Sequence, residues 1–536
     1  MNEYDYIIVG AGSAGCVLAD RLSRNGRNSV LILEAGGSDR RVWIKLPIGY
    51  GRIFYDERVN WKYETEPDPA CDGRRGYWPR GKVIGGSSSI NALVYCRGLP
   101  GDYADWKDAG AQGWGWDDVR PHFEQIERKI STDGSAKGDG PMWVTNVAER
   151  AHRIGHHFFS AARELGFTET DDFNGSQPEG VGYYQITTRN GIRCSAADAF
   201  LRPALKRRNV TLISGVMVQR VSFDGRHATG VVYRQNGQLV SVHARKEVIS
   251  SAGSVNSPKL LQLSGVGPGK LLKQLGLDVI HDNENVGGNL QDHTAINYYY
   301  KATEPTLNDE LRPWWGQLWA GMKYVFTRGG PLSLSVNQCG GFVRSRRDVE
   351  RPDMQLYFTP ISYTTAPSGT RPLVTMDPFP GFQICFQPAR PTSRGRVDIQ
   401  SHDVDVVPKI DTNYLSTDKD LEDVVAGGRL IQSFVRTEAL KKLIAEPNGC
   451  DLAALSDDQI VEDYRKRSGT VFHPVSTCMM GADERTSVVD PEMKVHGLSG
   501  LRVVDASTFP NVTSGNTNAP TLMLAHKAAD AILRDG

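Results

Sequence analysis

The chain has 536 residues, which at about 100–200 residues per domain means more than one compact core. Its 62 Lys and Arg balance 62 Asp and Glu, so no global field favours nucleic acid or an anionic membrane. No stretch is apolar over the length that spans a bilayer, and Met1 leads almost directly into a strand pattern without signal-peptide character, so a cytoplasmic protein is expected.

Residues Tyr4 to Gly37 hold the first concentrated signal. The apolar run Tyr6 to Val9 breaks into Gly10-Ala-Gly12-Ser13-Ala14-Gly15, continues as an amphipathic segment to Arg24, turns at Asn25-Gly26 and closes as a second apolar run on Glu34 and Ala35. This is strand, turn, helix, turn, strand. Gly10 allows the tight turn, Gly12 lets backbone approach a pyrophosphate, and Gly15 lets helix and strand pack closely. The amides at the helix start suit phosphates, and Glu34 is placed to accept from an adenosine ribose.

From residue 38 to about 80 the sequence has scattered aromatics and little periodicity, as in a lid laid over a site, with Trp61 and Tyr63 as its apolar anchors. Arg80 to Val94 follows, rich in glycine and serine. Gly81, Val83, Gly86 and Ser87 leave backbone NH groups open to a phosphate or planar ring, and Asn91, Ala92, Leu93 and Val94 return the chain to an apolar run.

Gly81 to Val94 resembles the first signature of the glucose-methanol-choline (GMC) family of flavin oxidoreductases, and Gly253 to Gly267 resembles the second. The segment Gly287 to His293 and the C-terminal region carry the resemblance to the end of the chain. It implies an α/β plus antiparallel β protein, in which a Rossmann-like FAD-binding domain carries a second, substrate domain on an antiparallel sheet. The implied division is an FAD-binding part at 1–155, a substrate-domain insertion at 156–190, FAD binding again at 191–288, a substrate domain at 289–468 and a catalytic FAD-binding part at 469–536.

His152, His156 and His157 have helical spacing without an accompanying carboxylate or cysteine cluster, and read as a solvated helix face rather than a metal site. The eight cysteines are dispersed without a CxxC pair and read as reduced thiols. The resemblance implies that Val218 lies beside the adenine and that Ala252 and Gly253 pass the cofactor. Residues 289–468 show alternating strands with aromatic clusters at Tyr298–Tyr300, Trp314–Trp315 and Trp319. Tyr357, Phe358, Phe382 and Phe386 are candidates to line a pocket, with core packing an equal account of each.

Near the C-terminus the resemblance implies that His473 is the base for an alcohol proton and that Asn516 is the second catalytic group. Asn suits an alkoxide donor but cannot share the proton. This favours the choline dehydrogenase and choline oxidase branch. Asp505, Ala506, Asn516 and Thr517 are expected to contact the cofactor, Asp505 through backbone and side chain. Ile90 stands where some members attach flavin through histidine, so FAD is expected to be non-covalent.

The partners considered are an alcohol, oxygen or a quinone as electron acceptor, and a second copy of the chain in a homodimer; nucleic acid and a membrane span are not expected. The alternative is a non-redox flavoenzyme, a cyanohydrin lyase or a fatty-acid photodecarboxylase, for which Cys339 resembles the photoenzyme's cysteine and Tyr357 stands in place of its arginine. A third is a flavoprotein that only associates with a partner.

Overall fold

A computed structural model describes residues 3–363 and 375–536; Met1 lies outside the described residues. The uncharged run Tyr6 to Val9 forms the inner half of strand β1 (Glu3–Val9) and is buried on both faces, as expected at the centre of a parallel sheet. The chain turns at Gly10, whose φ of +102° favours glycine, enters helix α1 (Ser13–Ser23) and returns as β2 (Val30–Glu34), parallel to β1. A Cβ on Gly15 would stand 1.9 Å from the Gly10 carbonyl oxygen, so this crossing of helix over strand requires glycine.

Strand Val210–Ser214 adds in parallel outside β2, and the end of the long strand Gln238–Ser250 adds in parallel to β1. Leu501–Val503 then pairs in parallel with Val248 to Ser250. Met217–Asp224, His227–Gln235 and the start of Gln238–Ser250 form an antiparallel meander on the same sheet. Helix Asn518–Asp535 packs across α1. The nucleotide sheet is thus assembled from distant parts of the sequence.

The second large sheet is antiparallel, in the order Ile444–Pro447, Thr294–Ala302, Gly381–Pro388, Met354–Thr359, Cys339–Val343, Gly180–Tyr183. One face packs on helices Gly155–Glu164, Asp418–Val435 and Asp457–Arg467 through Phe158, Phe358, Phe382, Phe386, Phe434 and Ile460. The opposite face is turned toward the nucleotide sheet.

Several expectations change here. Trp314, Trp315 and Trp319 lie on helix Trp314–Thr327, not on a strand; Tyr298 to Tyr300 do lie on a strand, with Tyr298 and Tyr300 in the core. Phe358, Phe382 and Phe386 face the helices, because neighbouring strand residues point to opposite sides and only Tyr357 has the cavity-facing parity. His157 is not on a solvated face: it is buried, with Nδ1 3.1 Å from the Ala439 carbonyl and Nε2 2.8 Å from Glu304. Residues 38–80 contain the short helices Val42–Lys45 and Tyr50–Ile53 and a small hairpin pairing Tyr63 with Trp78. Trp106, on helix Pro100–Asp108, and Trp114, just before helix Trp116–Ile126, fasten this pair of helices to the C-terminal segment by donating to the carbonyls of Asn511 and Pro491.

Candidate active site

A cavity of about 620 Å³ runs between the two sheets, from Glu34 and Val218 at one end to Tyr357 and His473 at the other. Its walls bring together Gly10, Gly12, Ser13, Ala14, Ala35, Gly81, Gly86, Ser87, Asn91, Ala92, Leu93 and Val94 from the first hundred residues. Ala252, Gly253, Asp505, Ala506, Asn516 and Thr517 join them from the later segments. Two expected contacts do not reach it. Gly15 lies behind Gly10 and serves the helix–strand crossing, and Val83 is buried in a small cluster with Ile44, Ile53 and Val59.

The nucleotide end is built to receive an anion. Gly12 caps α1 with no side-chain hydrogen bond, and no acidic residue occupies the first turn, so the helix-start amides are open. Gly12 has φ −78°, and a Cβ on it would meet only the Ser251 carbonyl oxygen, at 3.9 Å. Nothing in the protein therefore demands glycine there; the cavity in front of it does. The Glu34 carboxylate accepts from the amides of Ala11 (2.9 Å) and Gly36 (2.7 Å), and burial pushes its pKa up to about 7. These features fit a dinucleotide: a phosphate cradle at a helix start and a ribose acceptor at the end of the next strand.

The Asp505 carboxylate is engaged by its own chain, accepting from Gly253 N (2.8 Å), Ser257 Oγ (2.6 Å) and Ser507 N (2.8 Å). It fixes the turn before helix Gly253–Leu263 and presents that backbone to the cavity.

His473 is buried at the other end, in a chain of four groups. His293 Nε2 lies 2.9 Å from the Ala389 carbonyl, which can only accept, so Nε2 carries the proton. Burial depresses the His293 pKa to about 4, so the ring is neutral and its Nδ1 is an acceptor. That Nδ1 lies 3.0 Å from His473 Nδ1, which must therefore donate. The remaining nitrogen, His473 Nε2, is left with its lone pair facing Asn516 Nδ2 at 3.1 Å. The geometry fixes His473 in the tautomer of a base.

The segment that carries His473 is strained and held. Phe472 has φ +70°, costing on the order of 1 kcal/mol for a residue other than glycine. Phe472 N donates to Thr470 Oγ1 (2.8 Å), Arg80 donates to the Phe472 carbonyl (2.7 Å), and His473 N donates to Asp292 Oδ1 (2.8 Å). Asp292 also accepts from Thr470 Oγ1 (2.5 Å) and Tyr414 OH (2.6 Å), while burial raises its pKa to about 6. The His473 pKa lies well below the ordinary value because of burial first, then the neighbouring His293 and Arg80.

The far wall is the cavity face of the antiparallel sheet, where Ala295, Asn297, Tyr299, Tyr357, Thr359, Gln383 and Cys385 alternate with core residues. Tyr357 lines the cavity beside Asn516, whose Oδ1 is buried and without a hydrogen-bond partner among the described residues. Among the described residues, the carboxylates that line the cavity are Glu34 and Asp505, both on the nucleotide side. Cys339 does not line it; its thiol packs toward the Phe358 carbonyl on the helix-covered face.

Sequence reasoning assigned no role to His293 or Asp292. The Gly287 to His293 motif was visible, but the partner of His293 stands 180 positions away. Nor did it find Asn297, Thr359 or Gln383, whose exposure to the cavity depends on strand parity.

Two family models described as GMC oxidoreductase match residues 4–295 and 391–525. The chain is 40% identical to an oxygen-dependent choline dehydrogenase of Vibrio vulnificus (strain YJ016), covering 99% of this chain and 94% of that protein. It is also 40% identical to an alcohol dehydrogenase [acceptor] of Pseudomonas putida, covering 99% and 96%. The solved pyridoxine 4-oxidase from Mesorbium loti superposes with a TM-score of 0.87 at 28% identity, over 98% of each chain.

Proposed function

This chain belongs to the GMC oxidoreductase family, and from that premise we propose that it oxidises an uncharged, partly apolar or aromatic primary alcohol to the aldehyde, with His473 Nε2 taking the hydroxyl proton. FAD, held without a covalent bond, supplies the hydride acceptor when bound. Gly12, Glu34 and the Gly81 to Val94 segment would hold it, and Ile90 offers no nucleophile for attachment. We propose that Val218 meets the adenine, and that Ala252, Gly253, Ala506 and Thr517 meet the rest of the cofactor.

The observation that carries this reading is the hydrogen-bond chain from Ala389 through His293 to His473. It leaves the lone pair of His473 Nε2 aimed at Asn516 and the cavity. A substrate hydroxyl placed between His473 Nε2 and Asn516 would give its proton to the imidazole. Asn516 Nδ2 would donate to the oxygen as charge develops on it. The depressed pKa keeps His473 unprotonated in the resting site, so the acceptor is present before the alcohol arrives. Electrons then leave for oxygen or a quinone; Val471 lines the cavity two residues from the base.

Among the described residues no carboxylate lines the substrate end of the cavity, and this supports a neutral substrate. Tyrosine faces in this wall attract an ammonium by about 0.5–2 kcal/mol, less than the cost of burying a cation with no counter-charge. A neutral alcohol carries no such penalty. A photodecarboxylase has no comparable support, since Cys339 is turned to the other face of the sheet.

Anaerobic mixing with a panel of alcohols tests this. A neutral aryl or alkyl alcohol should bleach the flavin absorbance faster than choline, and His473→Ala should slow reduction by roughly 10²–10⁴-fold. If no alcohol bleaches the flavin, or choline does so best, the reading fails. Reoxidation by air or by a quinone then identifies the acceptor.

A further inference from the structure

Helix Trp314–Thr327 is amphipathic in an inverted sense. Gly316, Ala320 and Tyr324, each one turn from the next, are buried against the protein, and the Tyr324 hydroxyl donates to the Gly191 carbonyl (3.0 Å). The large apolar residues point away. Trp314 is 76% exposed, Trp315 61%, Trp319 66% and Phe326 84%, with Leu318 and Val325 beside them. A helix that seats small residues on its own protein and turns tryptophans outward has its apolar payload directed elsewhere.

The charge around this face identifies what it meets. Residues 311–347 contain no acidic side chain, while Arg312, Lys323 and Arg328 flank the apolar surface and are exposed. Among the described residues none of the three is ion-paired: Arg312 reaches the Pro378 carbonyl (3.4 Å), and Arg328 lies over the Tyr324 ring (5.2 Å). The preceding helix, Leu307–Leu311, carries two carboxylates, and both are engaged by their own surroundings: Asp309 accepts from Thr306 N (2.8 Å) and Glu310 stands 3.5 Å from His152 Nε2. Tryptophan, phenylalanine and leucine ringed by unpaired cations is the composition of a helix lying in the headgroup plane of a membrane. A second copy docking through the same face would set these cations against one another.

We propose that helix Trp314–Thr327 is a monotopic docking surface for a bilayer rich in anionic lipid. It does not span; no helix among the described residues is long and apolar enough to cross a membrane. Beneath it, Ala320 packs in one cluster with Val336 and Tyr363, which line the substrate end of the cavity. Docking therefore brings the cavity wall near the lipid boundary, where an apolar alcohol concentrates. The docking itself does not depend on the substrate reading.

The test is sedimentation of the FAD-loaded enzyme with vesicles of phosphatidylcholine alone or mixed with phosphatidylglycerol. The enzyme should pellet with the anionic vesicles, less so in high salt, and brominated lipid should quench its tryptophan emission. The variant combining Trp314→Ser, Trp315→Ser, Trp319→Ser and Phe326→Ser should lose binding while keeping its flavin absorbance and its turnover of a water-soluble alcohol. Replacing Arg312, Lys323 or Arg328 by Gln should lower partitioning by roughly fivefold per charge removed. No binding to anionic vesicles, binding that survives the four-fold variant, or a wild-type dimer that this variant splits without any lipid binding would each overturn the proposal.

Discussion

The two ends of the cavity are made of different atoms. The nucleotide end is backbone: amides at the start of α1, glycines without side chains, and carboxylates such as Glu34 and Asp505 that hold those amides in place. The substrate end is side chain: Tyr357, Gln383, Asn297 and Thr359 projecting from a sheet whose other face is core. The first kind of wall is intolerant of any added atom, whereas the second can change its residues while the sheet stays in place. The proposed catalytic pair sits where the two meet, with His473 carried on the strained segment at Phe472.

The largest effects are expected at the backbone end, and two glycines there separate folding from binding. Gly15→Val would press a side chain onto the Gly10 carbonyl oxygen, 1.9 Å from where its Cβ must lie, so the crossing itself has to open. That variant should be poorly folded and colourless. Gly12→Ala meets nothing in the protein closer than 3.9 Å, so it should fold normally by circular dichroism. Its methyl group intrudes only on the bound dinucleotide, and overpacking of about 1–3 kcal/mol should weaken FAD by roughly one to two decades in Kd. If Gly12→Ala binds FAD as the wild type does, the cradle is misassigned.

At the junction, His293 should act on rate through His473 without touching substrate. His293→Phe removes the acceptor of the His473 Nδ1 proton and lets the ring choose its tautomer, so flavin reduction should slow by ~10²-fold, as misorientation of a catalytic group does. His293→Gln offers an amide that can accept from His473 and donate to Ala389, and should recover most of the loss. The pH profile sharpens the point. The active form is the neutral imidazole and burial lowers its pKa, so kcat/KM should stay level as pH falls through 6.5 and drop only well below it. An acid limb near 6.5, or Phe and Gln variants of equal rate, would show that the relay does not set the tautomer.

The same contrast explains what could be read from sequence. Gly10, Gly12 and Glu34 announce themselves because their partners lie within one βαβ unit, where spacing alone fixes geometry. The resemblance of the C-terminal segment to the GMC family pointed to His473 and Asn516, and the structure brings them within 3.1 Å. The wall was not legible in the same way. Tyr357 and Phe358 are neighbours of similar character, and strand parity sends one to the cavity and the other to the core. Trp314 to Trp319 resembled the tyrosines of the adjacent strand in composition but form a helix with its aromatics outward. An overall balance of 62 against 62 charges hid a stretch with no acid at all.

The smallest effect belongs to the side-chain wall and is the most informative about substrate. Gln383 stands opposite Tyr299 and Thr359 in the sheet, one cavity-facing position beyond Cys385 and outside the catalytic hydrogen-bond chain. Removing its amide should leave proton removal unaltered, because His473, His293 and Asn516 keep their geometry. Gln383→Ala should therefore raise KM with kcat within about threefold, the pattern of lost uniform binding. The rise should be larger for alcohols carrying a second polar group than for simple alkyl alcohols, which have nothing to offer the amide. A fall in kcat with KM unchanged would instead place Gln383 among the groups that act in the transition state, beside His473 and Asn516.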